Sequence, residues 1–131
     1  MSITHIGAAS VWVGDIDAAV DYYTRVLGLT LDKTIGEAPQ PRMAWLRFPD
    51  GRAIVILAEG RAMGMEQRVG GFTGLVLDVD DAERTFQELQ ERGARMPGPL
   101  RKDPDGWRIV VRDPDGNDLL LFQPHDEADR H

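Results

Sequence analysis

Val13-Gly14-Asp15-Ile16-Asp17 opens a helical pattern that stops at Gly28, and Val79-Asp80-Asp81-Ala82-Glu83 opens a second that stops at Gly93. Pro49-Asp50-Gly51 likewise returns as Pro114-Asp115-Gly116. The helix starts repeat at an offset of 66 residues and the helix ends and turns at 65, so the two halves differ by one deletion. Self-similarity on this scale marks an internal duplication, two copies of one supersecondary unit.

Hydrophobic period gives the order of elements in each copy. Residues 3 to 13 are rich in small and β-branched side chains and read as a strand. Asp15 then offers an N-cap oxygen to a helix whose Ile16, Ala19, Val20, Tyr23 and Leu27 form one stripe, and Gly28 suits the left-handed position beyond its end. Leu29 to Leu31 resume an extended pattern, Met43 to Phe48 form a further strand, and Asp50-Gly51 turns the chain into Ala53 to Ala58. The second copy runs through Thr73 to Val79, a helix carrying Ala82, Phe86 and Leu89, then Ala94 to Met96, Trp107 to Arg112 and Asp118 to Phe122. The expected class is α+β, with two tandem β-α-β-β-β modules. Residues 1–124 make one domain: module one is 3–59, a four-glycine linker 60–71, and module two 72–124, followed by a polar tail, 125–131.

Composition restricts the partners. A chain of 131 residues with 42% hydrophobic content buries roughly two-thirds of its unfolded surface, enough for one compact unit. The net charge of -7 repels phosphate backbones and anionic lipid, which argues against nucleic acid and membrane surfaces as partners. With no cysteine there is no disulfide, thiolate nucleophile or Cys-based zinc site. No stretch approaches the ~20 apolar residues of a membrane span, and no leader pattern opens the chain. A cytoplasmic protein is the expectation.

The motifs Val13-Gly14-Asp15-Ile16-Asp17, Tyr22-Tyr23, Val26-Leu27-Gly28-Leu29 and Arg112-Asp113-Pro114-Asp115-Gly116-Asn117, in this order and duplicated, resemble the vicinal oxygen chelate superfamily of glyoxalases, bleomycin-resistance proteins and extradiol dioxygenases. The resemblance covers residues 3 to 124. It implies a cupped mixed sheet with helices on its outer face and ligand chemistry inside. It also implies a homodimer that completes two cups across its interface. Enzymes of this family hold a divalent metal with His, Glu or Gln side chains from four strands. Carried over residue by residue, those positions fall on Ala8, Val55, Gly74 and Leu120, none of which has a lone pair to donate. The expectation is therefore no metal and no cofactor. His5 lies an odd number of residues from Ala8 and points to the opposite face, while His125 and His131 fall in the tail.

Strand parity then predicts what fills the cup. If residues 8, 55, 74 and 120 face inward, so do Ser10, Trp12, Ala53, Leu57, Val76, Asp78, Asp118 and Phe122; extension through the turns adds Met43, Trp45, Arg47, Arg108, Val110 and Arg112. The opposite parity, with Val11, Val13, Ile54, Ile56, Leu75, Leu77, Val79, Leu119 and Leu121, is continuously aliphatic, as a helix-covered face requires. Trp12, Trp45 and Trp107 are read as stacking on a ligand, although Trp107 serves equally well to close the core. Leu57, Val110, Leu120 and Phe122 wall the cup, Ser10 and Met43 line it, and Met63 and Met65 in the linker either lap over it or simply pack. Asp78 and Asp118 are either an acid/base pair or rim charges, and the arginines either anion clamps or members of ion pairs.

These readings favour a metal-independent protein that binds a hydrophobic or aromatic small molecule and sequesters it, an antibiotic or metabolite, as in the bleomycin-resistance branch. The alternative is an enzyme of the same fold, with lyase, isomerase or dioxygenase chemistry, that is metal-free or uses atypical ligands. A regulatory or scaffolding domain is a third reading.

Overall fold

Asp15 and Asp81 do cap helices, each helix following the first strand of its own sheet. In a computed structural model, which describes residues 1–37, 42–49, 51 and 54–125, the first module comprises β1 (Ala8–Val13), α1 (Ile16–Asp21), β2 (Thr30–Ile35), β3 (Met43–Arg47) and β4 (Ile54–Glu59). The second comprises β5 (Gly71–Asp78), α2 (Ala82–Glu91), β6 (Arg101–Asp103), β7 (Gly106–Arg112) and β8 (Asn117–Pro124). Each module folds its strands into a four-stranded mixed sheet of the same order, β1-β4-β3-β2 and β5-β8-β7-β6. In both, the first strand pairs parallel with the last and the remaining pairs are antiparallel. The α+β class and the repeated module are therefore as the sequence indicates.

Local chemistry explains the elements. The Asp15 carboxylate accepts from the backbone N–H groups of Asp17 and Ala18, and that of Asp81 from Arg84, which satisfies donors a helix start leaves open. Beyond Asp21 the first helix widens into a π-turn over Tyr22–Val26, where Leu27 N–H reaches Tyr22 O at 3.1 Å. This wider turn lets Tyr22 and Tyr23, adjacent in sequence, both bury their rings. Gly28 ends it at a φ of 80°, a backbone state that costs glycine nothing.

Several expectations need correction. The segment 94–96 contributes one bridge, Arg95 to Arg112, and the edge strand of the second sheet is β6 instead. Strand β5 begins at Gly71 rather than Thr73, and the linker contains two short 3-10 turns, Arg61–Met63 and Glu66–Arg68. His125, the first residue of the polar tail, is anchored: its Nε2 lies 2.8 Å from Asp103 O and its N–H donates to Asp105 O. Asp50, Ala53 and His131 lie outside the described residues.

The helix-facing sides of both sheets share a single core. Val11, Val13, Ala44, Leu46, Val55, Leu57, Ile109, Val111, Leu119 and Leu121 pack there against Ile16, Ala19, Tyr23, Val26, Ala82 and Leu89. Buried beside it, in the turn between β7 and β8, is a carboxylate, Asp113, with no exposed surface. Its Oδ2 accepts from the Tyr23 hydroxyl at 2.8 Å and from Asn117 Nδ2 at 2.9 Å, while its Oδ1 accepts from the N–H groups of Asp115 and Asn117, both at 2.9 Å. Asn117 also donates to Trp12 O in β1 and accepts from Gly70 N–H. The Asp-Pro-Asp-Gly-Asn turn of the second module is thus bonded to the helix and first strand of the first. Burial, then the neighbouring Asp113 charge, pushes the Tyr23 phenol far above its usual range, so it stays protonated and keeps donating wherever the fold survives.

Removing that donor leaves a buried carboxylate one partner short. Tyr23→Phe is expected to lose about 1–3 kcal/mol of stability in urea unfolding with an unchanged m value, and an unaltered midpoint would show that the bond contributes nothing. A second expectation concerns Asp115, whose carboxyl is raised above the ordinary value first by burial and also by Asp113 and Asp15. A carboxyl raised in the fold binds its proton more readily than in the unfolded chain, so its stability contribution falls as pH rises through that range. Asp115→Asn is therefore expected to raise the unfolding midpoint at neutral pH and to lose that gain near pH ~4; equal midpoints at neutral pH would contradict it.

Candidate ligand-binding site

Opposite the core, each sheet presents an open face. Strand alternation places Ala8, Ser10 and Trp12 there from β1, and Met43, Trp45 and Arg47 from β3, while their neighbours Val11, Val13, Ala44 and Leu46 are buried. From the second module come Gly74, Val76 and Asp78 of β5, Arg108, Val110 and Arg112 of β7, and Asp118, Leu120 and Phe122 of β8, alternating with the core residues Ile109, Val111, Leu119 and Leu121.

Strand β4 has the other parity from that expected. Leu57 pairs with Val11 and is fully buried, and Val55 joins it in the core. Ile54 and Ile56 pair with Arg47 and Trp45 and therefore share the open face. The cause is loop length. Arg47 pairs with Ile54, whereas its counterpart Arg112 pairs with Asp118, so the first hairpin holds one residue more, and one residue reverses every side chain that follows. Leu57 is thus a core residue, and the family's metal position on this strand moves from Val55 to its open-face neighbours, Ile54 and Ile56.

Trp107 also belongs to the other side. It packs against the core, makes an edge contact with His125 at 6.4 Å, and lies 5.4 Å from the Lys102 ammonium, away from Arg108 and Val110. Met63 and Met65 remain exposed and line neither cavity described below. His5 lies ahead of β1 with its Nδ1 2.9 Å from Thr4 Oγ1.

The charged residues resolve into ion pairs. Arg47 meets Asp32 at 3.1 Å, Arg108 meets Asp103 at 2.8 Å without hydrogen-bond alignment, and Arg112 grips Asp118 through Nε at 2.8 Å and Nη2 at 3.1 Å. Asp78 pairs across the sheet with Phe122 and Asp118 with Phe72, four residues apart along the strand or roughly 13 Å. That separation, together with the Arg112 clasp, removes the acid/base pair reading. Aromatic surface remains: the Lys33 ammonium sits 4.4 Å over Trp45, whose buried Nε1 lacks an acceptor among the described residues, and the Arg108 guanidinium covers Phe122 at 5.6 Å.

Of the cavities bordered by both modules, two lie between residues of β1 and β5. One of about 260 Å³ is bordered by Ser10, Trp12, Arg68, Phe72, Thr73 and Asn117. The other, about 370 Å³ and apolar, lies beside Ala8, Ile54, Gly74 and Val76. Phe72 is 66% exposed, an unusual state for so large an apolar ring. Sequence parity places Phe72 with Gly74 and Val76, but a strand begun at Thr73 misses it; Arg68, in the linker, gives no periodic signal at all.

A divalent metal does not fit the family's positions. Ala8, Ile54, Ile56, Gly74 and Leu120 offer hydrogen or hydrocarbon, and no three His, Cys, Asp or Glu side chains converge among the described residues. Gly74 moreover has a φ of 81° at an irregularity in the β5–β8 register, so any side chain there is strained.

Comparison with known proteins agrees with this architecture. A crystal structure of a glyoxalase/bleomycin resistance protein/dioxygenase superfamily member from Sphaerobacter thermophilus superposes with a TM-score of 0.83 at 26% identity, over 92% of this chain and 98% of that one. TnmS3, an antibiotic-binding protein from Streptomyces sp. CB03234, gives 0.78 at 29% identity over 95% and 98%. The lactoylglutathione lyase of Escherichia coli O157:H7 is 27% identical over 123 residues, 87% of this chain and 88% of the relative. The family model described as Glyoxalase/Bleomycin resistance protein/Dioxygenase superfamily matches residues 2–121, and the chain belongs to that superfamily.

Proposed function

We propose that the protein binds a planar or aromatic small molecule without a metal and acts by sequestering it, as an antibiotic- or metabolite-binding member of its superfamily. The observation that carries this reading is the chemistry of the open faces: Trp12, Trp45, Phe72 and Phe122 supply rings where the family's metal positions supply only Ala8, Ile54, Ile56, Gly74 and Leu120. Aromatic and aliphatic walls with a few polar groups suit a ligand held by burial. Covering ~300 Å² of apolar ligand surface yields roughly 7 kcal/mol before association costs are subtracted. The likeness to the antibiotic-binding TnmS3 points the same way.

Exposed Phe72 and Val76 on β5 support a second element of the reading, a homodimer in which a second copy covers the open faces and completes each cup. The lyase relatives support an enzyme of the same fold as the competing reading; the donor-free positions speak against one that uses the family's metal site. The absence of cysteine and of any described helix long and apolar enough to cross a membrane supports a cytoplasmic site of action.

Titration with planar polycyclic compounds is expected to quench tryptophan fluorescence saturably, and the ligand is expected to be recovered chemically unchanged. Trp45→Ala should weaken binding about tenfold through loss of ring contact and apolar burial. Time-dependent conversion of the ligand by the purified protein would instead establish an enzyme.

A further inference from the structure

The arginines of the open faces, Arg47, Arg108 and Arg112, are each neutralised by a carboxylate. Arg68 is not: among the described residues it makes no ion pair and its side chain makes no hydrogen bond. It closes the second 3-10 turn of the linker and borders the cavity of about 260 Å³ between Trp12 and Phe72.

The other polar walls of that cavity are mostly committed. Thr73 donates its hydroxyl to Asp118 O, and Asn117 spends its amide on Trp12 O, Asp113 and Gly70. Three side-chain groups are left without a protein partner among the described residues, the Arg68 guanidinium, the Ser10 hydroxyl and the Trp12 indole N–H. Arg68 and Ser10 are exposed side chains on a cavity that the half-buried Trp12 and the exposed Phe72 also border. The backbone that follows Arg68 is anchored. Gly70 N–H donates to Asn117 Oδ1 at 2.7 Å and Gly71 N–H to Gly116 O at 2.9 Å, which ties the linker to the start of β8 two and three residues after Arg68.

We propose that this seam cavity selects aromatic ligands carrying a carboxylate, with Trp12 and Phe72 holding the ring and Arg68 and Ser10 binding the anionic group. The inference rests on the binding function proposed above and names its ligand class. A guanidinium fork matches a carboxylate in shape and charge, and a hydroxyl beside it adds a further donor. The chain's net charge of -7 does not oppose this at close range, because at physiological salt charges beyond about 8 Å are largely screened and the local cation dominates.

Calorimetric titration with 2-naphthoate and its neutral counterpart 2-naphthalenemethanol tests the assignment. The wild type is expected to bind the carboxylate about tenfold more tightly than the alcohol. Arg68→Gln should abolish that preference while leaving the alcohol's affinity within about twofold, and Arg68→Lys should retain part of it. Phe72→Ala should weaken both compounds together. Equal affinities in the wild type, or a preference that survives in Arg68→Gln, would overturn selection by Arg68 and leave the ring-binding function standing. Failure of both compounds to bind would overturn this inference together with the sequestration of simple aromatic ligands.

Discussion

A carboxylate with no exposed surface, Asp113, accepts four hydrogen bonds, and the one from Tyr23 crosses from the other module. A buried charge is tolerated only when its donors are fixed, so this network sets where the second module sits relative to the first. Asn117 extends it to Trp12 O on β1 and to Gly70 at the end of the linker. The seam between β1 and β5, and the two cavities along it, inherit their shape from that arrangement. The rest of the molecule follows from having one core on the helix side of both sheets and two faces left open on the other.

Much of this architecture is legible in the amino-acid sequence because it depends on local chemistry. Asp15, Asp81, Gly28 and Gly93 mark helix ends through capping oxygens and left-handed backbone, effects that need no tertiary information. Period-two alternation in β1, β3, β5, β7 and β8 likewise separates core from open face. What the sequence conceals is the count of residues in a hairpin. Parity carried through the turn after β3 fails because the first hairpin is one residue longer than the second, and Leu57 and Val55 exchange faces with Ile54 and Ile56. The π-turn at Tyr22–Val26 is hidden for a similar reason, since it answers the tertiary need to bury two adjacent tyrosines.

The candidate site is legible only in part. Trp12 and Trp45 fall on the open face that their strand positions indicate, but Trp107 follows Gly106 on the opposite parity to Arg108 and closes the core instead. Arg68 is invisible to periodicity because it lies in a non-repetitive linker, whereas Phe72 shares the parity of Gly74 and Val76 and is missed only because the extended pattern reads from Thr73 while the strand begins at Gly71. The correction to β4 leaves the metal argument unchanged, since Ile54 and Ile56 can donate to a cation no better than Val55.

Every reading of function returns to those donor-free positions on the open faces. Elemental analysis of protein purified without chelators, repeated after incubation with nickel, zinc, manganese and iron(II) salts and desalting, tests them most directly. No stoichiometric metal is the result expected here. About one tightly held ion per chain, lost on substitution of an open-face residue, would show that the protein builds a metal centre from groups other than the family's and would contradict the account.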